Sequence, residues 1–391
     1  MNLSINSQLN LYPLTIRQDK KHYIVEDSLS GDFFEMPKIC IDAINMINNG
    51  ESLVSIQQEL KLKNPDEDVD LVEFAEQLLD LGLIKEIDGE AIQVTKKNQT
   101  PTGFKWISPQ VGRLFFNRVT IKLYIAIIFI NIFLIVLNPK LLPGYRDIFL
   151  FEAMTLNILT YMGISLLFII IHEFGHILAV RAHNMPAKLE IGHRLLFIVF
   201  ETDLTTAWKL KPKQRNVLYL AGICFDQLIL FSALSLKLLY PENSILTGFL
   251  AIVILDLFIK FIYQCCFYMK TDLYYVLENM TGCYNLMENG RDYLSNWIPF
   301  MKKDSTTEAF EGEGSVIRIY SLFYILGLLF TFCLFGFYFV PQAFYAYAQT
   351  LPELLHPGGN PYFWDAVVFL GQSILMVGLL LYSWIKNRME A

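Results

Sequence analysis

Charged side chains are scarce in this chain of 391 residues. They make up 18% of it, whereas 54% of the residues are hydrophobic. A soluble domain of average composition carries about 25% charged residues. The deficit excludes a wholly soluble protein and predicts that most of the chain lies in lipid.

Cysteine pairs of the C-x-x-C type are absent, although the chain has six cysteines, at positions 40, 224, 265, 266, 283 and 333. This absence disfavours a metal site built from cysteine. Three of the six, at 224, 265 and 266, lie in strongly apolar segments. We therefore expect small buried side chains rather than disulfides.

A signal peptide is also missing, since residues 1–21 have neither a basic start nor an apolar core. Residues 1–90 carry seven Lys or Arg against eighteen Asp or Glu, a net charge of −11 in a chain whose total is −7. We predict an acidic cytoplasmic domain at 1–95, a linker at 96–115 and a membrane domain at 116–391. The acidic domain lacks the basic face that nucleic acid requires, so no nucleic-acid partner is expected.

Short strands and helices alternate in the acidic domain and favour a small α+β fold of the winged-helix type. Asp70 can cap the last helix, with Glu73 completing a capping box, and Gly82 suits a left-handed helix stop. The predicted strands are 22–25, 32–35 and 83–87, and the predicted helices are 37–48, 52–60 and 70–81.

Six apolar stretches follow, each about 20 residues long and so able to cross a hydrocarbon core as a helix. The loop 181–215 carries seven Lys or Arg and 269–316 carries four, whereas 341–363 carries none. Positive loops stay on the cytoplasmic side, so we expect a multi-pass protein of the cell membrane with both termini in the cytoplasm. The predicted spans are 119–138, 155–180, 216–239, 245–268, 317–340 and 364–385.

The second span contains H-E-x-x-H, formed by His172, Glu173 and His176. Positions i and i+4 of a helix lie one above the other, so both imidazoles can bind one metal ion. Zinc lowers the pKa of its water to about 7, and an adjacent carboxylate can take the proton. These residues are costly in lipid unless they are paired or bind a ligand. We predict a Zn²⁺ site with both histidines as ligands and Glu173 as the general base.

Zinc in hydrolases commonly takes a third protein ligand. Asp272 is the leading candidate, because it ends the fourth span at the depth of the two histidines; a helix cap or an interfacial charge is the alternative interpretation. Asp203 and His193 are weaker candidates, since residues in such positions are more often caps or surface residues.

Three further polar residues lie inside predicted spans. Asp256 and Lys260 are spaced i, i+4 and can neutralise each other. Asp226 either faces the cavity of the site or bonds to a neighbouring helix, and we favour the cavity.

Residues 115–295 resemble the site-2 protease family of intramembrane metalloproteases. The H-E-x-x-H sequence matches that family's motif, and Thr271-Asp272-x-Tyr274-Tyr275 is similar to its T-D-G-Y-Y motif. The segment 202–210, followed by Ala221-Gly222, also resembles a branch of the family. The resemblance implies an intramembrane zinc endopeptidase whose third ligand is Asp272. The chain departs from the family pattern at three positions, with Leu273 for the usual Gly, Gln264 for a frequent Asn and Phe267 for a frequent Pro.

The acidic domain resembles the leader-peptide recognition (PqqD-like) domains of modified-peptide biosynthesis. This resemblance implies capture of an extended precursor peptide at a sheet edge; a regulatory or folding appendage is the plain alternative. The expected function is cleavage near the cytoplasmic membrane face that matures a ribosomally synthesised peptide or removes its leader, as in a bacteriocin pathway. A peptide-modifying enzyme or exporter encoded nearby would be a partner. The alternatives are cleavage of a membrane-anchored regulator, and a non-catalytic peptide receptor, immunity or export component.

Overall fold

The computed structural model describes residues 3–20, 22–65, 68–92, 103–194, 197–298, 310 and 312–390, with the backbone alone for 192–194, 197–199, 383, 384 and 386–390. The chain divides into two compact units. The first comprises Met1–Pro101 with Thr205–Pro212, and the second comprises Thr102–Leu204 with Lys213–Ala391.

The first unit contains short strands and three helices. Its elements are β1 (Leu9–Leu11), β2 (Leu14–Asp19), β3 (His22–Asp27), β4 (Phe33–Met36), α1 (Lys38–Asn48), α2 (Leu53–Lys63), α3 (Leu71–Asp80), β5 (Ile84–Ile87) and β6 (Glu90–Ala91). Two antiparallel sheets result, one in the order β2-β3-β4 and the other in the order β1-β5-β6. The predicted strands and helices are all present, with ends within three residues of those expected.

The caps of α3 explain where that helix begins and ends. The Asp70 carboxylate accepts hydrogen bonds from the amides of Val72 and Glu73, at 2.9 and 3.1 Å. Gly82 follows the helix with φ at +68°, in the left-handed region that glycine adopts without strain. Both residues therefore act as their positions in the sequence predict.

An aliphatic core holds the first unit together. Val25, Ile44, Ile56 and Leu78 have no solvent exposure and lie in one continuous cluster contributed by the strands and all three helices. The prediction missed β1, β2 and the two-residue β6. β1 has only three residues, and β2 is specified by its six-residue antiparallel pairing with β3, from Leu14 opposite Asp27 to Asp19 opposite His22. Such pairing is a tertiary contact that local sequence pattern does not contain.

The segment Thr205–Pro212 lies against the β2-β3-β4 sheet within this unit. Nη1 of Arg17 on β2 donates to the carbonyl oxygen of Lys209 at 2.6 Å. Nζ of Lys209 lies 2.7 Å from Oε1 of Glu26 on β3. These contacts attach the segment to two neighbouring strands.

The second unit is helical apart from one hairpin. Its elements are α4 (Pro109–Phe115), α5 (Arg118–Leu137), α6 (Met154–Ala182), β7 (Lys188–Arg194), β8 (Phe197–Asp203), α7 (Pro212–Tyr219), α8 (Ala221–Leu239), α9 (Ser244–Gln264), α10 (Asp272–Thr281), α11 (Leu286–Ser295), α12 (Gly314–Leu334), α13 (Val340–Thr350) and α14 (Pro361–Glu390). Six helical stretches in the described residues are long and apolar enough to cross a membrane, at Pro109–Leu137, Met154–Ala182, Ala221–Leu239, Ser244–Gln264, Gly314–Leu355 and Pro361–Tyr382. The fold is predominantly helical, and the length and apolar composition of these six stretches indicate a multi-pass membrane protein.

Two loop predictions were wrong in extent. Residues 109–115, expected in the linker, form α4 behind an N-cap in which the Ser108 hydroxyl accepts from the Val111 amide; the linker's residues 96–102 lie outside the described residues. The loop expected from 341 starts later, because a π-helical turn at Phe335–Phe339 connects α12 directly to α13. Proline at 341 normally ends a helix, but a π-helical turn already interrupts the regular hydrogen-bond ladder there, so the missing N–H costs little.

Candidate metal centre

The two motif histidines lie on one face of α6, one turn apart, as their spacing requires. His176 is buried and His172 is half-buried. Helix α6 packs closely against α8 at Gly175, where a Cβ would lie 2.7 Å from the carbonyl oxygen of Ala221. Glycine at this position therefore allows the helix contact that encloses the histidines.

Asp272 is the first residue of α10, and not the end of the fourth span as predicted, because α9 stops at Gln264. The side-chain carboxamide of Gln264 holds the returning chain. Its Nε2 donates to Oδ2 of Asp272 at 2.9 Å, and its Oε1 accepts from the Asp272 amide at 3.0 Å. The Thr271 hydroxyl donates to the Gln264 carbonyl oxygen at 2.9 Å. These hydrogen bonds bring the Asp272 carboxylate back to the level of the C-terminal end of α9.

His172, His176 and Asp272 form the one group of potential metal ligands in the part of the chain that the structure describes. Nε2 of His172 lies 2.9 Å from Oδ2 of Asp272 and 3.3 Å from Nε2 of His176, and the third separation, from Nε2 of His176 to the same Oδ2, is 3.4 Å. Zinc bonds of 2.0–2.2 Å in a tetrahedron separate neighbouring ligand atoms by about 3.3 Å. The three atoms therefore have the spacing of three corners of a zinc tetrahedron.

The outer nitrogens of both imidazoles are hydrogen-bonded. Nδ1 of His176 donates to the carbonyl oxygen of Leu218 at 2.8 Å, and Nδ1 of His172 lies 2.7 Å from Oδ2 of Asp226. A carbonyl oxygen and an ionised carboxylate can only accept, so the proton of each neutral ring is on Nδ1 and the lone pair is on Nε2. This is the tautomer that a metal ligand needs. Asp226 thus contacts a ligand directly, rather than facing the cavity as we favoured.

The electrostatics of the Asp272 carboxyl follow from its neighbours. Burial favours the neutral acid, but the positive charge of the His176 and His172 rings in their protonated form, and hydrogen bonds from those rings, lower the pKa of Asp272 well below its usual range. The carboxyl is consequently ionised at neutral pH. It offers a negatively charged oxygen at the point where the two imidazole nitrogens converge.

Glu173 points to the end of the β7–β8 hairpin. The amide and the hydroxyl of Thr202, on β8, both donate to Oε2 of Glu173 at 2.8 Å. Two donors on one oxygen fix the carboxylate orientation and leave Oε1 outside this pair of bonds. The general base predicted from the motif is thus held by a strand that follows α6 in the chain.

Asp203, one of the two weaker candidates, does not join the group. Asp203 ends β8 opposite Lys188 in the hairpin, and His193 lies in β7 opposite Ile198, with only its backbone described. Asp256 pairs with Lys260 at 2.7 Å, as the spacing predicts, and Lys260 also donates to the carbonyl oxygen of Ser165 on α6. This pair connects α9 to α6 at a distance from the ligand group.

Sequence reasoning missed three contributors. In the sequence, Gln264 is distinguished only by its departure from a family pattern, but in the structure its carboxamide orients Asp272. Thr202 lies in the segment 202–210, and nothing in the sequence of that segment indicates its hydrogen bonds to Glu173. Leu218 acts through its backbone oxygen, so its residue type carries no signal at all.

No protein-family model, curated protein or solved structure matches this chain. The geometry of the site and the sequence pattern are therefore the basis of any functional assignment.

Proposed function

We propose that this protein is an intramembrane zinc endopeptidase. The observation that carries the proposal is the convergence of the His172 and His176 Nε2 atoms with Oδ2 of Asp272, at separations of 2.9 to 3.4 Å. Two imidazoles and one carboxylate are the donor set of several zinc hydrolases, in which a fourth position stays open. Zinc held there would act as a Lewis acid that polarises a peptide carbonyl and activates water at neutral pH.

Glu173 is the proposed general base and acid. Its carboxylate would take a proton from the attacking water and deliver it to the leaving amine, so that no free charge builds up on either. The two hydrogen bonds from Thr202 keep the carboxylate in one orientation while it accepts and releases that proton. The scissile segment must be extended, because a helical substrate hides its carbonyl groups in its own hydrogen bonds.

The test separates metal binding from chemistry. Purified wild-type protein is expected to contain about one zinc per chain, and His172→Ala or His176→Ala should lose it. Glu173→Gln should keep the zinc and lose cleavage by a factor of about 10²–10⁴, the usual contribution of a general base. Glu190→Gln is the matched control, since Glu190 is half-exposed on β7 and pairs with Lys188. Undiminished cleavage by Glu173→Gln would refute the mechanism.

The proposed substrate is a precursor peptide recruited by the first unit. Among the described strands, β4 lies at one end of the order β2-β3-β4, and an extended peptide can add to the end of a sheet as a further strand. The resemblance to leader-peptide recognition domains favours a modified peptide over a membrane-anchored regulator. Deleting residues 1–95 should raise KM for the precursor and leave kcat and zinc content near wild type, because recruitment is uniform binding. A lowered kcat with unchanged KM would instead indicate a gating role.

The proposed orientation has both termini and the 181–215 segment on the cytoplasmic side. Because 341–350 is helical, the external labelling probe belongs in the turn near 357–360, which lies between α13 and α14. Cysteines placed there should react with an impermeant reagent, and cysteines placed in 205–212 should not. The opposite pattern would move the site to the other face.

A further inference from the structure

A second carboxylate lies behind the ligand group, on the far side of the His172 ring. Asp226 is in the second turn of α8, and its side chain is 9% exposed. Its Oδ2 is 2.7 Å from Nδ1 of His172, whose opposite nitrogen, Nε2, faces Asp272. The imidazole is thus bridged between two carboxylates, one at each nitrogen.

The partners of Asp226 differ from those of the other buried acid in the spans. Asp256 has the ammonium group of Lys260 at 2.7 Å. Among the described residues, the ion-pair partner of Asp226 is His172, and its second oxygen, Oδ1, has no hydrogen bond. A buried carboxylate is costly unless a positive charge lies close to it. An imidazole that ligated a divalent cation would carry part of that charge and would so offset the cost of burying this acid.

The same helix shapes the space for the ring. Gly222 precedes Asp226 by one turn and so lies on the same face of α8. A Cβ at Gly222 would lie 2.3 to 2.6 Å from three atoms of the His172 ring, far inside contact distance. Gly222 therefore leaves room for the imidazole, and Asp226 fixes its rotation and its tautomer.

We propose that Asp226 is a positioning residue, which holds His172 as a metal ligand through Nδ1 and raises the zinc affinity of the site. The inference rests on the proposed function, because it presumes zinc at the three ligands. Hydrogen bonds from carboxylates to ligand imidazoles typically contribute 10- to 100-fold in metal affinity. The Nδ1 atom of His176 is hydrogen-bonded to a neutral carbonyl oxygen instead, so His172 is the one ligand of the pair that has a carboxylate at its Nδ1.

The experiment measures zinc binding by the full-length protein, with zinc alone as the probe and no peptide present. Asp226→Asn is expected to weaken zinc binding 10- to 100-fold, because the amide is neutral and can present its NH₂ group to Nδ1. Asp256→Asn is the matched control, a buried acid in a neighbouring span that is not in contact with a ligand. The absorption spectrum of the cobalt-substituted protein should change in Asp226→Asn and stay as in wild type in the control, since it reports ligand geometry rather than stability.

A second variant keeps the inference testable if Asp226→Asn does not fold. Gly222→Ala should displace the ring and weaken zinc binding at least 10-fold, whereas Gly163→Ala, on α6 with no atom within 4 Å of its added Cβ, should not. Wild-type affinity and an unchanged cobalt spectrum in Asp226→Asn would overturn the inference and leave the proposed function intact. Absence of zinc binding in the wild type would overturn both.

Discussion

The two units differ in which side chains they leave exposed. In the first, wholly buried positions such as Ile44 and Leu78 are aliphatic and belong to one core. In the second, Phe129 and Phe133 on α5 are 67% and 59% exposed, whereas Asn131 between them is 1% exposed. Water drives apolar groups inward, but lipid is as apolar as a leucine side chain and provides no such force. Polar groups turn inward there because lipid cannot hydrogen-bond them.

This difference changes what a buried polar residue signifies. In a water-soluble domain it suggests a special role, whereas between membrane helices it is an ordinary way to connect them. Asn131, for example, donates to the carbonyl oxygen and to Oε1 of Gln227 on α8, at 2.9 and 3.0 Å. The candidate metal centre is distinguished by the convergence of three potential ligand atoms, and burial alone would not have identified it.

The largest effect is expected from removing the third ligand. Asp272→Ala should lower the zinc affinity by more than about 100-fold, because two histidines alone are an incomplete zinc site. The loss of a hydrogen-bond partner behind a ligand costs less, about 10- to 100-fold. Zinc content after dialysis, together with cleavage of the precursor, measures this. Asp203→Ala, which removes a carboxylate of the β7–β8 hairpin, is the comparison. Zinc loss in Asp203→Ala with retention in Asp272→Ala would mean that the wrong carboxylate was assigned.

Truncating an apolar side chain should have unequal effects in the two units. Ile44→Ala leaves a cavity in the aliphatic core and should cost about 2–5 kcal/mol. Phe129→Ala removes a side chain that is exposed on α5, and it should change stability by less than about 1 kcal/mol because no packed cavity is left. Hydrogen exchange measured on the full-length protein reports both, through the protection of amides in α1 and α5. Equal losses would show that α5 is packed against protein rather than lipid.

The dependence of stability on pH should come from the second unit. Burial raises the pKa of Glu278, on α10, to about 7 from an ordinary value of 4.5, even though the hydroxyl of Tyr274 and the amide of Leu286 donate to it. Between these two values the folded protein holds a proton that the unfolded chain has lost. The free energy of unfolding should therefore fall as pH rises from 4.5 to 7, by about 3 kcal/mol at ~1.4 kcal/mol per unit of pKa, and then stay level.

Glu278→Gln tests this contribution, because the amide can accept the same hydrogen bonds and does not ionise. Its melting temperature in detergent should decline less over that pH range than that of the wild type. Glu353→Gln is a suitable control, since Glu353 is partly exposed and pairs with His356. If the melting temperature of Glu278→Gln changes with pH as that of the wild type does, another group is responsible for the pH dependence of stability.

The smallest effect is expected for the polar contact between α5 and α8. Asn131→Leu removes both hydrogen bonds to Gln227 and should destabilise the protein by about 1 kcal/mol, the usual scale for such contacts in membranes. Phe129→Leu, two residues earlier on the lipid-exposed side, is the control, and melting temperatures of the two variants give the comparison. A stabilised Asn131→Leu variant would show that the contact serves something other than packing.

Local patterns in the sequence were enough for much of the fold. Hydrophobic runs predicted the six spans, because crossing lipid requires about 20 apolar residues in a row. Asp70 and Gly82 were predictable as the ends of α3, since a cap acts within one turn of its helix. The short β1 and the partner-dependent β2 were not predictable, because their pairing joins residues that are apart in the chain.

For the candidate metal centre, His172, Glu173 and His176 could be identified from the sequence alone, since helical periodicity places i and i+4 together whatever surrounds them. Asp272 is 100 residues from His172, and its position depends on the early end of α9 and on the carboxamide of Gln264. Asp226 reaches His172 only because α8 packs against α6, and the Leu218 carbonyl reaches His176 only because α7 lies beside α6. Contacts between helices decide which atoms meet, and a repeat along one helix contains no information about them.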